Sequence, residues 1–205
     1  MEQYKTVLKP AKARFVEKKS EFISMLVPII TEKDASSVLE ETRAANRKSR
    51  HNCYGYILRD TNTERYSDDG EPSGTAGMPI LEVLKNNCLF DVMCIVTRYF
   101  GGVLLGAGGL TRAYSKSATM AVNEADIITM YPAAALKLKG AYTYYKRIKT
   151  AVGKYGGISQ NESFSEFTEM TAVIRCEAVD EFSKYLTDIC NGSVIIEFER
   201  ELYIH

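Results

Sequence analysis

The chain carries no net charge. Its 26 Lys and Arg balance 26 Asp and Glu across 205 residues. That balance excludes a globally basic nucleic-acid binder but permits a local basic patch. Histidine is scarce, with only His51 and His205, and the five cysteines (Cys53, Cys88, Cys94, Cys176 and Cys190) form no C-x-x-C pair. A zinc site therefore lacks a ligand set. Several thiols lie in apolar runs, Cys94 within Val92–Val96 among them. Buried, reduced thiols and a cytoplasmic location are expected. No apolar stretch approaches the ~20 residues of a membrane helix, so no membrane partner is expected. No apolar run follows the first lysines, so no signal peptide is expected either. The chain has no Gly-Lys-Ser/Thr and hence no P-loop. Internal repeats and low-complexity segments are also missing.

What is present suffices for a packed core, since 45 % of residues are hydrophobic. Charge is unevenly placed. Lys12, Arg14, Lys18 and Lys19 lie near the start, and Arg43, Arg47, Lys48 and Arg50 follow a helix pattern. The pattern predicts strands at 13–15 and 22–30 around a polar turn at 18–20. A helix over 32–47 follows, capped by Thr31 with Asp34 near its start. Strands at 52–59 and 91–97 flank a helix at 78–87, and a further helix runs from 109 to 124. Tyr131-Pro132 reads as a boundary. Beyond it come a strand at 136–140, a helix at 144–155 stopped by Gly156-Gly157, a hairpin at 158–164 and 167–176, a helix at 180–190 and a strand at 193–198. That order is β-α-β-β-α-β, the ferredoxin-like arrangement. The expectation is an α+β chain of two domains, 1–131 and 132–205.

Two polar segments carry the chemistry. Between Arg98 and Tyr114, five glycines (101, 102, 106, 108 and 109) fall within nine residues, flanked by Arg98, Tyr99, Arg112 and Tyr114. Such a loop either cradles an anion at the start of the helix that follows or makes a tight strand-to-helix turn. The second segment, Ser67–Gly77, holds Asp68, Asp69, Glu71, Ser73 and Thr75 among three glycines and a proline. Its acids can hold a divalent metal, fix Arg50, Arg98 or Arg112, or form a solvated turn. Beside Arg50, His51 is a catalytic base if a substrate proton lies within reach, and a surface or core-edge hydrogen bond otherwise. The run Arg43–Arg50 tracks phosphates or is a solvated helix end. Tyr142, Tyr144 and Tyr145 with Lys146, Arg147 and Lys149 suit the edge of a core, or base stacking.

The stretch Ser67–Pro79, together with Arg98-Tyr-Phe-Gly-Gly and Leu105-Gly-Ala-Gly-Gly-Leu-Thr-Arg-Ala-Tyr114, resembles the signature of the IMPACT/YigZ family. Arg50-His51 lies where that family carries a short Arg-His element, and residues 1 to about 130 match its first domain. The resemblance implies a first domain like domain 2 of ribosomal protein S5 and like the fourth domain of elongation factor G. It implies a ferredoxin-like second domain similar to that factor's fifth. Eukaryotic relatives act in translational control, and they place a partner-binding domain ahead of the region where this chain starts. Residue 104, often basic in the family motif, is Leu.

For bacterial relatives the resemblance implies no settled reaction, with nucleic-acid or ribosome binding inferred from fold likeness; the leading expectation is a cytoplasmic, non-catalytic translation regulator that binds RNA or ribosomes. Arg50, His51, Arg98 and Arg112 would contact phosphates, with Tyr99 and Tyr114 stacking or lining the pocket. Gly101, Gly102, Gly108 and Gly109 would allow close backbone approach. Asp68, Asp69 and Glu71, with Ser73 and Thr75, would support the loop or hold a divalent metal; no other cofactor is expected. The alternatives are an enzyme acting on a phosphate-bearing or nucleotide substrate, and a module that binds a protein partner.

Overall fold

A computed structural model describes residues 2–205. Two antiparallel sheets and five α-helices among the described residues make the chain α+β, as expected. The chain divides into two compact units, Tyr4–Thr129 and, with the first residues, Met130–His205.

The unit Tyr4–Thr129 holds β1 (Tyr4–Val7), β2 (Ala11–Glu17), β3 (Ser20–Pro28), α1 (Glu32–Ala45), β4 (His51–Leu58), β5 (Thr63–Ser67), α2 (Gly77–Asn86), β6 (Val92–Tyr99) and α3 (Ala107–Asn123). Its sheet runs β2-β3-β6-β4-β5, antiparallel throughout. The central strand β6 is buried from Val92 to Arg98. This explains its unbroken apolar run, because both of its faces are covered. α2 and α3 cover one face, where Ile80, Leu84, Leu110 and Ala118 pack on Phe22, Leu26, Cys53 and Val96. α1 lies on the other, with Ala35 among Tyr56, Leu58 and Met93. Thr31 and Asp34 form a reciprocal capping box at the start of α1.

β1 and β5 are strands that the pattern did not predict. β1 has only four residues, and β5 (Thr-Glu-Arg-Tyr-Ser) is a polar edge strand without apolar alternation.

The second unit builds β7 (Ile127–Ala141), α4 (Tyr145–Lys154), β8 (Ile158–Phe164), β9 (Phe167–Arg175), α5 (Val179–Ile189) and β10 (Ile195–Ile204). Strand order β10-β7-β9-β8 gives the ferredoxin-like arrangement. Leu136, Leu138, Met170 and Ile174 from the sheet meet Ile148, Val152, Phe182 and Leu186 from the helices. Tyr131 and Pro132, read as the domain boundary, are strand residues of β7, paired with Ile204 and Tyr203 of β10. Pro132 is tolerated because the strand partners through other residues on its far side, where pairing with β9 begins only at Ala133.

Candidate functional site

The site begins with a row of side chains at one end of the first unit's sheet. Register places Phe15 opposite Phe22, Phe22 opposite Arg98, and Arg98 opposite His51. Alternation along each strand puts all four on the face covered by α2 and α3. Phe15 and Phe22 stack with ring centres 5.1 Å apart. The Arg98 guanidinium lies 5.5 Å from the ring centres of both Phe22 and Phe100.

Arg98, expected to meet phosphate, is therefore corrected to a buried structural ion. Its side chain is 6 % exposed and its Nη1 donates to Glu71 Oε1 at 2.7 Å; Glu71 is 4 % exposed. Nη2 donates to Ser20 Oγ, which also accepts from the Gly101 amide. Tyr114 is likewise corrected. It is fully buried, edge-on to Phe22, and donates its hydroxyl to Glu71 Oε1 at 2.8 Å. Burial and Glu71 raise its phenol well above the ordinary range, so it stays a donor. Tyr99 alternates onto the opposite face from Arg98 and donates to Asn46 Oδ1 at 2.8 Å, so it lines no pocket with Arg98.

The acidic loop is held by its own backbone. Asp68 accepts from the amides of Gly74, Ala76 and Gly77 at 2.8–2.9 Å, and so caps α2, whose N-cap Ala76 has no side-chain acceptor. Asp69 accepts from the Asn52 amide and from Arg43 at 2.7 Å. The Thr75 hydroxyl donates to Pro72 O, and Ser73 is exposed. Each carboxylate thus serves a different set of donors. No group of three or more His, Cys, Asp or Glu suited to a metal occurs among the described residues. The divalent-metal reading of Asp68, Asp69 and Glu71 is corrected on this ground: the three oxygens sets diverge into separate hydrogen bonds. Of the arginine partners expected, only Arg98 is met by an acid of this loop, and Arg43 is an unexpected one.

Cys53 lies beneath the loop and donates its thiol to Asp68 O. Burial pushes that thiol up to about 12.

The glycine-rich loop behaves differently. A Cβ at Gly101 would overlap the carbonyl of Lys19, so this glycine is required by the β2–β3 turn and not by a ligand. Gly106 is the N-cap of α3 at φ 72°, a conformation that favours glycine. It leaves the helix without a side-chain cap, and no acid occupies the first turn. Gly108 and Gly109 lie in that turn, and Arg112 Nη1 comes within 3.6 Å of a Cβ built at Gly108. A Cβ at Gly102 would meet nothing within 4 Å.

Two hollows meet at Leu105. One, about 260 Å³, is lined by Phe15, Glu17, Lys18, Gly109, Arg112 and Lys116. The other, about 400 Å³, has Arg50, His51, Glu71 and Arg98 on one side and Phe100, Leu104, Ala107 and Leu110 on the other. The two polar segments do come together, but the wall between them is partly apolar. The side chains of Arg50, Lys18, Lys19 and Arg112 have no ion-pair or hydrogen-bond partner among the described residues. Lys116 has only the Phe15 ring, 4.7 Å away.

The sequence model of the Impact N-terminal domain matches residues 18–122, the segment that builds this site. The chain is 33 % identical over 193 residues to IMPACT family member YvyE of Bacillus subtilis, covering 94 % of this chain and 89 % of that one. The chain belongs to the IMPACT family. IMPACT family member YigZ of Escherichia coli is 32 % identical over 180 residues, covering 86 % of this chain and 88 % of its own. A solved structure titled as a hypothetical protein aligns at TM-score 0.66 and 30 % identity, covering 98 % of each chain. Both glycine-rich and acidic signatures of this IMPACT family chain therefore sit in one unit, and most of their residues are consumed in building it.

The lysine turn was legible only as a polar bend. Lys18 and Lys19 form a two-residue connection, since Glu17 pairs with Ser20, and both take positive φ (45° and 66°). Such turns normally use Asn and Gly, so two lysines there are strained. Strand signals two residues apart without Asn or Gly between them are the signal that would have found it.

His51 Nδ1 lies 2.8 Å from Asp69 O, so Nδ1 carries the hydrogen and donates it. In the second unit, Tyr144 and Tyr145 pack at the core edge while Tyr142 is 61 % exposed and stacks on Tyr145. Lys149 is engaged by Glu162 at 2.6 Å. No helix among the described residues is long and apolar enough to cross a membrane.

Proposed function

We propose that this IMPACT family chain is a non-catalytic, translation-associated regulator that binds RNA or ribosomes through the unit Tyr4–Thr129. The observation that carries the reading is a set of cations without ion pairs: Lys18, Arg112 and Lys116 along the smaller hollow, Arg50 in the larger one that includes Gly106 and Ala107, and Lys19 in the turn beside Gly101. Arg43 and Arg98 of the same unit, by contrast, are paired with Asp69 and Glu71. Unpaired cations beside an uncapped helix start, with no acid in its first turn, form a surface complementary to phosphate. Two strained lysines at a turn support the same reading, because strain persists where the surrounding structure and a function retain it. The enzyme alternative loses its residues, since Asp68, Asp69 and Glu71 are committed to the backbone, Asn52, Arg43, Arg98 and Tyr114.

The test is ribosome co-sedimentation, with RNA binding by anisotropy, of wild type and Arg112→Ala/Lys116→Ala. About four phosphate contacts give a log–log salt slope near −3 for single strands, so a fourfold rise in salt weakens binding roughly fifty-fold. The double variant keeps its stability within about 0.5 kcal/mol and has a slope shallower by about 1 to 2. Equal pelleting of both proteins, or a flat salt response, removes the reading.

A further inference from the structure

We infer that the 400 Å³ hollow receives the base of an unpaired nucleotide whose phosphate lies at the start of α3. This rests on the RNA reading above and names the part of the RNA that the site takes. The hollow falls within the ~300–1,000 Å³ of small-molecule sites and is built as those sites are, with an apolar wall and a few placed polar groups.

The apolar wall is unusual for a loop. Phe100 is 44 % exposed and Leu104 is 82 % exposed. Arg98 backs the Phe100 ring at 5.5 Å, leaving ring surface for a second planar group. A cation behind an aromatic ring and an open face in front make a stacking platform that any base can use. On the opposite side, His51 spends Nδ1–H on Asp69 O. In the neutral ring Nε2 is therefore an acceptor, suited to the exocyclic amine of a base. Arg98 is 5 % exposed, lines the same hollow as Gly106 and Ala107, and has an Nε without a hydrogen-bond partner. The anion end is supplied by Arg50 at the rim and by Arg112 over Gly108.

A base in a duplex has both faces stacked and its pairing edge occupied, so it cannot enter. The hollow therefore selects single strands, bulges or loops, while the surrounding lysines act on any phosphate chain.

The test is fluorescence anisotropy with one labelled RNA ten-mer, offered single-stranded, as a full duplex, and single-stranded with abasic positions. Free mononucleotides serve as competitors. The single strand is expected to bind about tenfold tighter than the duplex or the abasic strand. Phe100→Ala removes that tenfold preference, one stacked base corresponding to about that factor. Because Phe100 packs on Arg98, Leu104→Ser repeats the test at a residue whose exposure makes it harmless to folding. Arg112→Ala/Lys116→Ala weakens all strands alike. If all strands bind equally, or if Phe100→Ala and Leu104→Ser leave the preference intact, the base inference is overturned while the RNA reading stands. If none of the strands binds, both are overturned. If a free mononucleotide displaces the probe at lower concentration than the unlabelled strand, an RNA strand is overturned as the source of the nucleotide.

Discussion

The starts of α2 and α3 lie in one unit, each preceded by a glycine-rich loop, and they are finished in opposite ways. At α2 the chain supplies its own anion, Asp68, which accepts from Ala76 and Gly77. At α3 the cap is Gly106, no side chain accepts from the first amides, and Arg112 lies beside Gly108 of the first turn. A helix start carries partial positive charge and free N–H groups, and something must satisfy them. In α2 that is protein, whereas in α3 it is solvent or a ligand. Charge in a loop is therefore a poor guide to binding until its internal partners are known. The more acidic loop proves to be a scaffold, and the loop without acids is the open one.

Breaking the scaffold side has the largest expected effects. Glu71→Gln leaves the Arg98 charge buried and unpaired, and is expected to cost about 3–5 kcal/mol by urea denaturation. A cost below 1 kcal/mol shows that Arg98 finds water or a new partner, and the pair is not what holds the loops together. Asp68→Ala strands three amides and removes the α2 cap, for about 2–4 kcal/mol. If its cost matches that of a surface alanine, the two helix starts are equivalent and the comparison fails.

The scaffold also has a pH limit. Burial raises the Cys53 and Cys94 thiols from their ordinary range to about 12. The folded chain then holds protons that the unfolded chain releases, so stability is full below about 9 and falls as pH rises towards 12. The loss is expected to be about 1 kcal/mol per thiol for each unit in that window. Urea midpoints at pH 8 and 10 measure it, and Cys94→Ala should remove part of the slope. A flat profile means that water reaches these thiols.

The smallest change sharpens the open side. Lys18→Asn/Lys19→Gly suits a turn with two positive φ values and relieves strain, so the melting temperature should rise, by about 1 kcal/mol of stability. RNA affinity should fall in the same variant, with a salt slope shallower by about 1 to 2. A variant that is both more stable and an equal binder shows that the turn lysines are not part of the interface.

Much of this was readable from residue order. The capping box at Thr31 and Asp34, the buried β6 and the second unit's β-α-β-β-α-β order all follow from local periodicity and caps, which act over a few residues. β5 was not readable, because a polar edge strand is recruited by its neighbour β4 and not by its own composition. Within the site, residue types pointed to the right two segments but not to roles. Arg98 and Arg112 look alike in sequence. Arg98 lies on a strand facing the core, opposite His51 and Phe22, and meets Glu71 from 27 positions away. Arg112 lies on the first turns of a helix, facing solvent, and meets no acid.

Residue order alone indicated an α+β chain, resembled the IMPACT family through two motifs, and marked two glycine-rich segments as the candidate site. Only the tertiary structure decided which charges are spent and which are free. Hydrogen bonds and ion pairs between distant segments are set by register and packing, and a short stretch of sequence carries no record of a partner brought to it by the sheet.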